Sequence, residues 1–325
     1  MSETPQDKAT RYIRPKDVDN RASRSQRVLW AIEAFFWDWI YWKPMKAMKI
    51  DKASNLGAKI FRLLGPLAGS SHRTATRNLQ LAFPHWTEQQ IKACALATWE
   101  NFGRIAGELP HLAEMREDGP DPRIVVTGDE HLRPFLTAGK PVVYISGHLA
   151  NWEVMITTVI HRAPDSEITY RSVNNPHIDR CIAENRLSTG VRKLAAKGIG
   201  TRDLMRALST GRSIALMNDQ KFNQGIPVPL FGYNAMTAPG PTRLALKYGA
   251  PIFLFACRRT GPGRYAVDIH PPHWPDTELP LDEAVEKSVR FINAWMEDRI
   301  REAPEQWFWQ HNRWPKTAWK EAGVT

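Results

Sequence analysis

The chain has 325 residues, with 44 Lys and Arg against 34 Asp and Glu, a formal net charge of +10. A hydrophobic share of 42% and a charged share of 24% exclude wholesale disorder and a collagen-like fibre, and a mean hydropathy of −0.43 excludes a polytopic membrane protein. Cys94, Cys181 and Cys257 lie far apart with no CxxC, which argues against a disulfide scaffold or a structural zinc cluster, while the 13 tryptophans and the basic balance point to an anionic partner.

Residues 1–27 carry seven basic and four acidic side chains and no apolar run, and read as a flexible basic arm rather than a signal peptide. The next fifteen residues, VLWAIEAFFWDWIYW (28–42), hold thirteen apolar side chains, seven of them aromatic. A helix of that length spans only about 22 Å, whereas a bilayer core needs about 20 apolar residues. Glu33 and Asp38 also interrupt the run, about 140° apart on a helical wheel. Two readings stay open: a helix over 28–52 lying in a membrane interface, its indoles at headgroup level beside Lys43, Lys46 and Lys49, or a buried core helix. Pro44 should end or kink it.

From residue 53 the pattern predicts one domain to residue 325, helical over 53–115, α/β over 120–302, with a Trp-rich tail over 303–325. Leu56, Ile60, Leu63, Leu64 and Leu67 repeat at helical spacing. Thr87 with Gln90 forms a capping box opening a helix whose seam runs Ile91, Ala95, Trp99, Phe102, Ala106 and Leu109. After Pro120 the spacing predicts strands at 124–127, 141–146, 167–171, 213–217, 251–257 and 265–269. Helices fall near 152–162, 178–187, 201–210, 239–248 and 281–302. That alternation implies a mixed, largely parallel sheet flanked by helices, with a helical N-terminal extension.

The run Tyr144-Ile145-Ser146-Gly147-His148-Leu149-Ala150-Asn151-Trp152-Glu153 is the sharpest chemical feature. An apolar strand ends at a glycine, a histidine follows, and Asn151 is placed to cap the next helix, with Glu153 in its first turn. A carboxylate there is favoured as the anion. If the loop folds His148 back over the helix start, Glu153 can take the proton of one imidazole nitrogen and leave the other as a base for a hydroxyl. A histidine in a glycine-containing loop beside an unrelated surface glutamate is the plainer reading of the same residues. Arg171, at a strand end, suits a phosphate or a structural ion pair to Asp219 or Glu153. Asn174 and Asn175 suit a turn or a ligand. Asp219 and Gln220, at another strand end, suit an Asx-turn or a contact that orients Arg171. Arg258 and Arg259 suit a basic mouth or a solvated surface. No Walker A or GxGxxG stands in register, so no nucleotide cofactor is expected; His131, His148 and His161 lack HExxH-type spacing, so no metal is expected.

Several ordered blocks carry a family resemblance over about residues 72–315. They are Arg77-Asn78-Leu79 with Ala82-Phe83-Pro84; Gly147-His148 with Asn151-Trp152-Glu153; and Tyr170-Arg171 with Asn174-Asn175-Pro176. Asp219-Gln220 with Val228-Pro229-Leu230-Phe231-Gly232 and Ala235-Met236-Thr237 follow, then Gly249-Ala250-Pro251 and Pro304-Glu305-Gln306-Trp307 with His311 and Arg313-Trp314. Together they resemble the lipid A late acyltransferases, the lauroyl/myristoyl branch of the lysophospholipid acyltransferase-like superfamily. The resemblance implies acyl transfer, commonly from acyl carrier protein, to a hydroxyl of a lipid A precursor. It implies His148 as base with Glu153 as its partner in an HxxxxE motif, and Asn151, Arg171, Asn174, Asn175, Asp219 and Gln220 on the substrate side. It also implies a place at the cytoplasmic face of the inner membrane, peripheral or monotopic. Another glycolipid or aminolipid acceptor, or a non-catalytic lipid-binding protein, are the alternatives. A nucleic-acid partner is not expected, since no RRM, helix-turn-helix or zinc pattern accompanies the charge.

Overall fold

A computed structural model of the chain describes residues 22–196 and 201–324. Most of the expected basic arm, residues 1–21, lies outside the described residues. The first helix starts earlier than the apolar run: Ser23 accepts a hydrogen bond from the Gln26 N–H and caps α1, Arg24–Phe36. The chain continues through a π-helical turn, Trp37–Trp42, into α2, Lys43–Ala47. Pro44 explains the π turn. It has no N–H for the carbonyl four residues back, and the wider winding sends the Lys43 N–H to the Asp38 carbonyl instead.

Three helices follow: α3 (Ile50–Leu64), α4 (Gly69–Ala82) and α5 (Glu88–Glu108), the last opened by the expected Thr87–Gln90 capping box. The apolar stripe of α3 faces outward. Leu63 is 76% exposed and Leu67, in the short 3₁₀ turn that follows, 79%. The buried face is made of Ala53, Ser54, Gly57 and Ala58, because α3 crosses α5 at backbone contact. A Cβ on Gly57 would stand 2.1 Å from the Gly103 carbonyl oxygen, so only glycine permits the crossing.

Past residue 120 the six expected strands appear in order, with three further ones among them. They are β1 (Ile124–Thr127), β2 (Val143–Ser146), β3 (Glu167–Tyr170), β4 (Leu194–Ala196), β5 (Ile214–Met217), β6 (Ile226–Leu230), β7 (Tyr233–Thr237), β8 (Ile252–Gly261) and β9 (Arg264–Ile269). Between or after them lie α6 (Asp129–Thr137), α7 (Trp152–Arg162), α8 (Pro176–Leu187), α9 (Thr201–Ser209), α10 (Gly240–Tyr248), α11 (Leu281–Glu302) and α12 (Lys316–Glu321). Seven strands form one sheet in the order β1-β9-β8-β2-β5-β3-β4. Every neighbouring pair is parallel except β8 with β9. The strand β4 and the β6–β7 hairpin were not expected as strands. In β6, Pro227 and Pro229 break the sequence signal, but this strand has a single ladder partner, where alternate N–H groups are not needed.

Alternate side chains of β2 divide the core into two layers. Val143 and Ile145 pack with Leu79 of α4, Ala245 of α10, Ile292 and Met296 of α11 and the tail tryptophans. Tyr144 packs on the other face with Val154 and Val159 of α7, Leu132 of α6 and Phe253 and Phe255 of β8. The Trp-rich tail is part of the core: Trp309 and Trp314 are fully buried, and Leu149 bridges to Trp307, which pins the loop after β2.

Candidate active site

The site begins with the register of two adjacent parallel strands. Ser146 and Met217 are paired at the ends of β2 and β5, so two residues further on His148 and Asp219 meet. After β2 the chain runs through α7 to β3; after β5 it returns past β2 to β8. The paths diverge between β2 and β5, which opens a crevice at the strands' carboxyl ends. Gly147 turns the chain there, since a Cβ on it would stand 2.7 Å from the Met296 sulfur.

Asp219 receives three hydrogen bonds: from the His148 backbone N–H at 2.8 Å, from its Nδ1 at 2.8 Å and from the Trp307 indole at 2.8 Å. Burial alone would raise its carboxyl, but the imidazole charge and the donated bonds outweigh that and hold it at about 2. An ionised Asp219 only accepts, so in the neutral imidazole Nδ1 of His148 carries the proton and Nε2 keeps the lone pair. Nε2 stands 3.4 Å from the Gln220 amide nitrogen. The imidazole is flanked by Trp152, with ring centroids 5.2 Å apart, and Phe308, 6.1 Å away.

Glu153 does not reach the imidazole. It sits in the first turn of α7, which turns it toward α8, and Arg186 takes both its oxygens, Nη2 at 2.5 Å and Nε at 2.8 Å. The expected His148–Glu153 contact is therefore replaced by two separate pairs, each on a buried carboxylate, His148–Asp219 and Glu153–Arg186. Arg171 is exposed and makes neither of the ion pairs expected for it.

A cavity of about 300 Å³ opens beside His148. Its mouth carries Arg171, Arg186 and Gln220, and its depth is lined by Tyr144, Ile168 and Phe255. An apolar groove of about 770 Å³ adjoins it, running between α1, α5 and α8, with Phe102, Trp152 and Arg186 in both linings. Of the residues expected on the substrate side, Arg171 and Gln220 line the cavity; Asn174, Asn175 and Asn151 do not. Asn151 caps α7, accepting from the Glu153 N–H at 3.1 Å and donating to Glu108 at 3.0 Å. Asn175 caps α8 and donates to the Trp30 carbonyl and to Glu33. Asn174 is exposed. Arg259 turns into the core and pairs with Glu108 rather than joining a basic mouth. Two contributors had signals that pointed elsewhere: Arg186 lay inside a predicted helix, and Trp307 lay in a family block without a role.

Residues 21–316 match the family model of the bacterial lipid A biosynthesis acyltransferases. The chain belongs to that family. It is 26% identical over 259 residues to a lipid A biosynthesis acyltransferase of Haemophilus influenzae, covering 78% of this chain and 79% of the relative. It is 29% identical over 245 residues to a lipid A biosynthesis lauroyltransferase of Escherichia coli, covering 73% and 76%. A phosphatidylinositol mannoside acyltransferase of Mycolicibacterium smegmatis is 28% identical over 175 residues, 52% of this chain and 56% of that one. The chain is thus an acyltransferase, with the mixed, largely parallel sheet and the helical N-terminal region expected from its sequence. Among the described residues no helix is long and apolar enough to cross a membrane.

Proposed function

We propose that the protein transfers a fatty acyl group from acyl carrier protein to a hydroxyl of a lipid A precursor, with His148 as general base. The observation that carries this reading is a histidine whose Nδ1 proton is fixed on a buried carboxylate while Nε2 faces a cavity with a basic mouth and an apolar depth. Nε2 takes the proton of the acceptor hydroxyl. The oxygen attacks the thioester carbonyl, the tetrahedral intermediate collapses, and the donor thiolate leaves and takes up a proton. Arg171 and Gln220 at the mouth are placed to meet phosphate and carbonyl oxygens. Asp219 orients the base, and Glu153 acts on the site through Arg186.

The exposed apolar side chains of α1, the π turn, α3 and the 3₁₀ turn after it support a place at the cytoplasmic face of the inner membrane, with the protein lying on it. Phe35, Trp39, Ile40, Leu63 and Leu67 are all more than half exposed, and Lys43 lies over the Trp39 ring at 3.4 Å. The mycobacterial relative favours one variant of the reading, in which the acceptor is another glycolipid. Mass spectrometry of lipid A from a strain lacking the gene tests the proposal. Loss of one secondary acyl chain, restored by the wild-type gene and not by His148→Ala, is the expected result. An unchanged lipid A removes the lipid A assignment.

A further inference from the structure

We propose that Asp38, His177 and Cys181 form a zinc site that clamps the N-terminal aromatic helix onto α8. These three side chains lie outside the His148 cavity, and the site does not depend on the acyl-transfer reading. A carboxylate oxygen, an imidazole nitrogen and a sulfur, one from each residue, all lie within 4.8 Å of one another. His177 and Cys181 are four apart on α8 and so share a face, and the π turn presents Asp38 to them.

The spacing fits a metal. In a tetrahedral site with Zn–N near 2.0 Å and Zn–S near 2.3 Å, nitrogen and sulfur stand about 3.5 Å apart. His177 Nε2 and Cys181 Sγ are 3.6 Å apart. The Asp38 oxygens lie 2.9 and 3.0 Å from Nε2 and need to open only to about 3.3 Å. Three atoms with lone pairs to offer, one each of O, N and S, converge there. A carboxylate, a thiolate and a neutral imidazole also balance the charge of a dication, and the mixed O, N and S set suits zinc, with water in the fourth position.

The surroundings agree. On binding, the S–H proton of Cys181 passes to solvent and sulfur bonds the metal. Cys94 and Cys257 are buried, so Cys181 is the accessible thiol. The groove beside the site is walled by Glu33 and Trp37 from the N-terminal segment and by Ile178, Ile182 and Arg186 from α8. A clamp between those walls fixes the width of the groove next to His148.

The test is titration of the reduced full-length protein with Co²⁺, followed by Zn²⁺. One equivalent should give a thiolate-to-cobalt charge-transfer band and tetrahedral visible bands, both bleached by Zn²⁺. Zn²⁺ should also raise Tm. Cys181→Ser should abolish the charge-transfer band, and Asp38→Asn should weaken binding about tenfold or more, while His148→Ala should bind as wild type. Absence of the band in the wild-type protein, or its survival in Cys181→Ser, overturns the proposal and leaves Asp38–His177 as an ion pair only.

Discussion

At His148 the proton is placed by a carboxylate 71 residues away in the chain, while the glutamate five residues away serves an arginine. That division sets two expectations. His148→Ala should lower kcat/KM by about 10²–10⁴-fold. Asp219→Asn should do comparable damage, because an amide no longer dictates the Nδ1–H tautomer. The double variant should be little worse than either single one, since the two side chains act as a unit. Steady-state kinetics on the three variants check this, and additive losses would dissolve the pair. Glu153→Ala should act differently. It leaves Arg186, whose side chain is 12% exposed, without its carboxylate, and should cost about 3 kcal/mol of stability in urea melts. Adding Arg186→Met should recover much of that loss. If Glu153→Ala instead leaves stability unchanged and is non-additive with His148→Ala in kcat/KM, then Glu153 belongs to the imidazole after all.

Among the elements, what the sequence made legible followed from local chemistry. Continuous runs such as Val143–Ser146 and 252–257 are buried on both faces of the sheet and announce themselves as apolar stretches. The Thr87–Gln90 box fixed the start of α5. The carboxylate partner of His148 was not legible, because it depends on β2 lying beside β5, a matter of strand order rather than of spacing along the chain. The N-terminal carboxylates were misread for a similar reason. On an unbroken α-helix Glu33 and Asp38 point apart, but across the π turn both reach α8, one to Asn175 and one to His177. With its acids satisfied inward, the segment leaves an apolar outer surface, and α3 extends it. Leu63 and Leu67 are largely exposed. Replacing both with Glu should leave the melting temperature unchanged. If each buries its side chain in lipid, at about 1.5–3 kcal/mol apiece, the change should weaken binding to anionic vesicles by about 100-fold or more, read by co-sedimentation. Unchanged vesicle binding would place the membrane surface elsewhere on the molecule.

For the whole molecule, one buried carboxylate ties the helical third to the sheet at several points at once. Glu108, at the end of α5, is fully buried. It accepts hydrogen bonds from Ser54 of α3 at 2.7 Å, from the Gly263 N–H at 3.0 Å and from Asn151, the α7 cap, at 3.0 Å. It also pairs with Arg259 of β8 and Tyr265 of β9. Burial by itself would raise its carboxyl, but the Arg259 guanidinium and the donated bonds overcome that and hold it below the ordinary value of 4.5. A depressed carboxylate contributes stability that is fully present above its unfolded value and is lost as pH falls through its folded one. Glu108→Gln leaves the Arg259 charge buried and unpaired, so it should cost about 3 kcal/mol at pH 7. The stability gap between wild type and variant should stay level from about pH 8 down to about 5.5, then narrow in acid as the wild-type carboxylate takes up its proton. Urea melts across that range read the gap directly. A gap that widens on acidification would mean that Glu108 is held protonated, and that the joint between α3, α5 and the sheet rests on neutral hydrogen bonds rather than on an ion pair. Because Asn151 belongs to the same joint, the variant should also loosen the start of α7, lowering kcat/KM with Asp219 and His148 untouched.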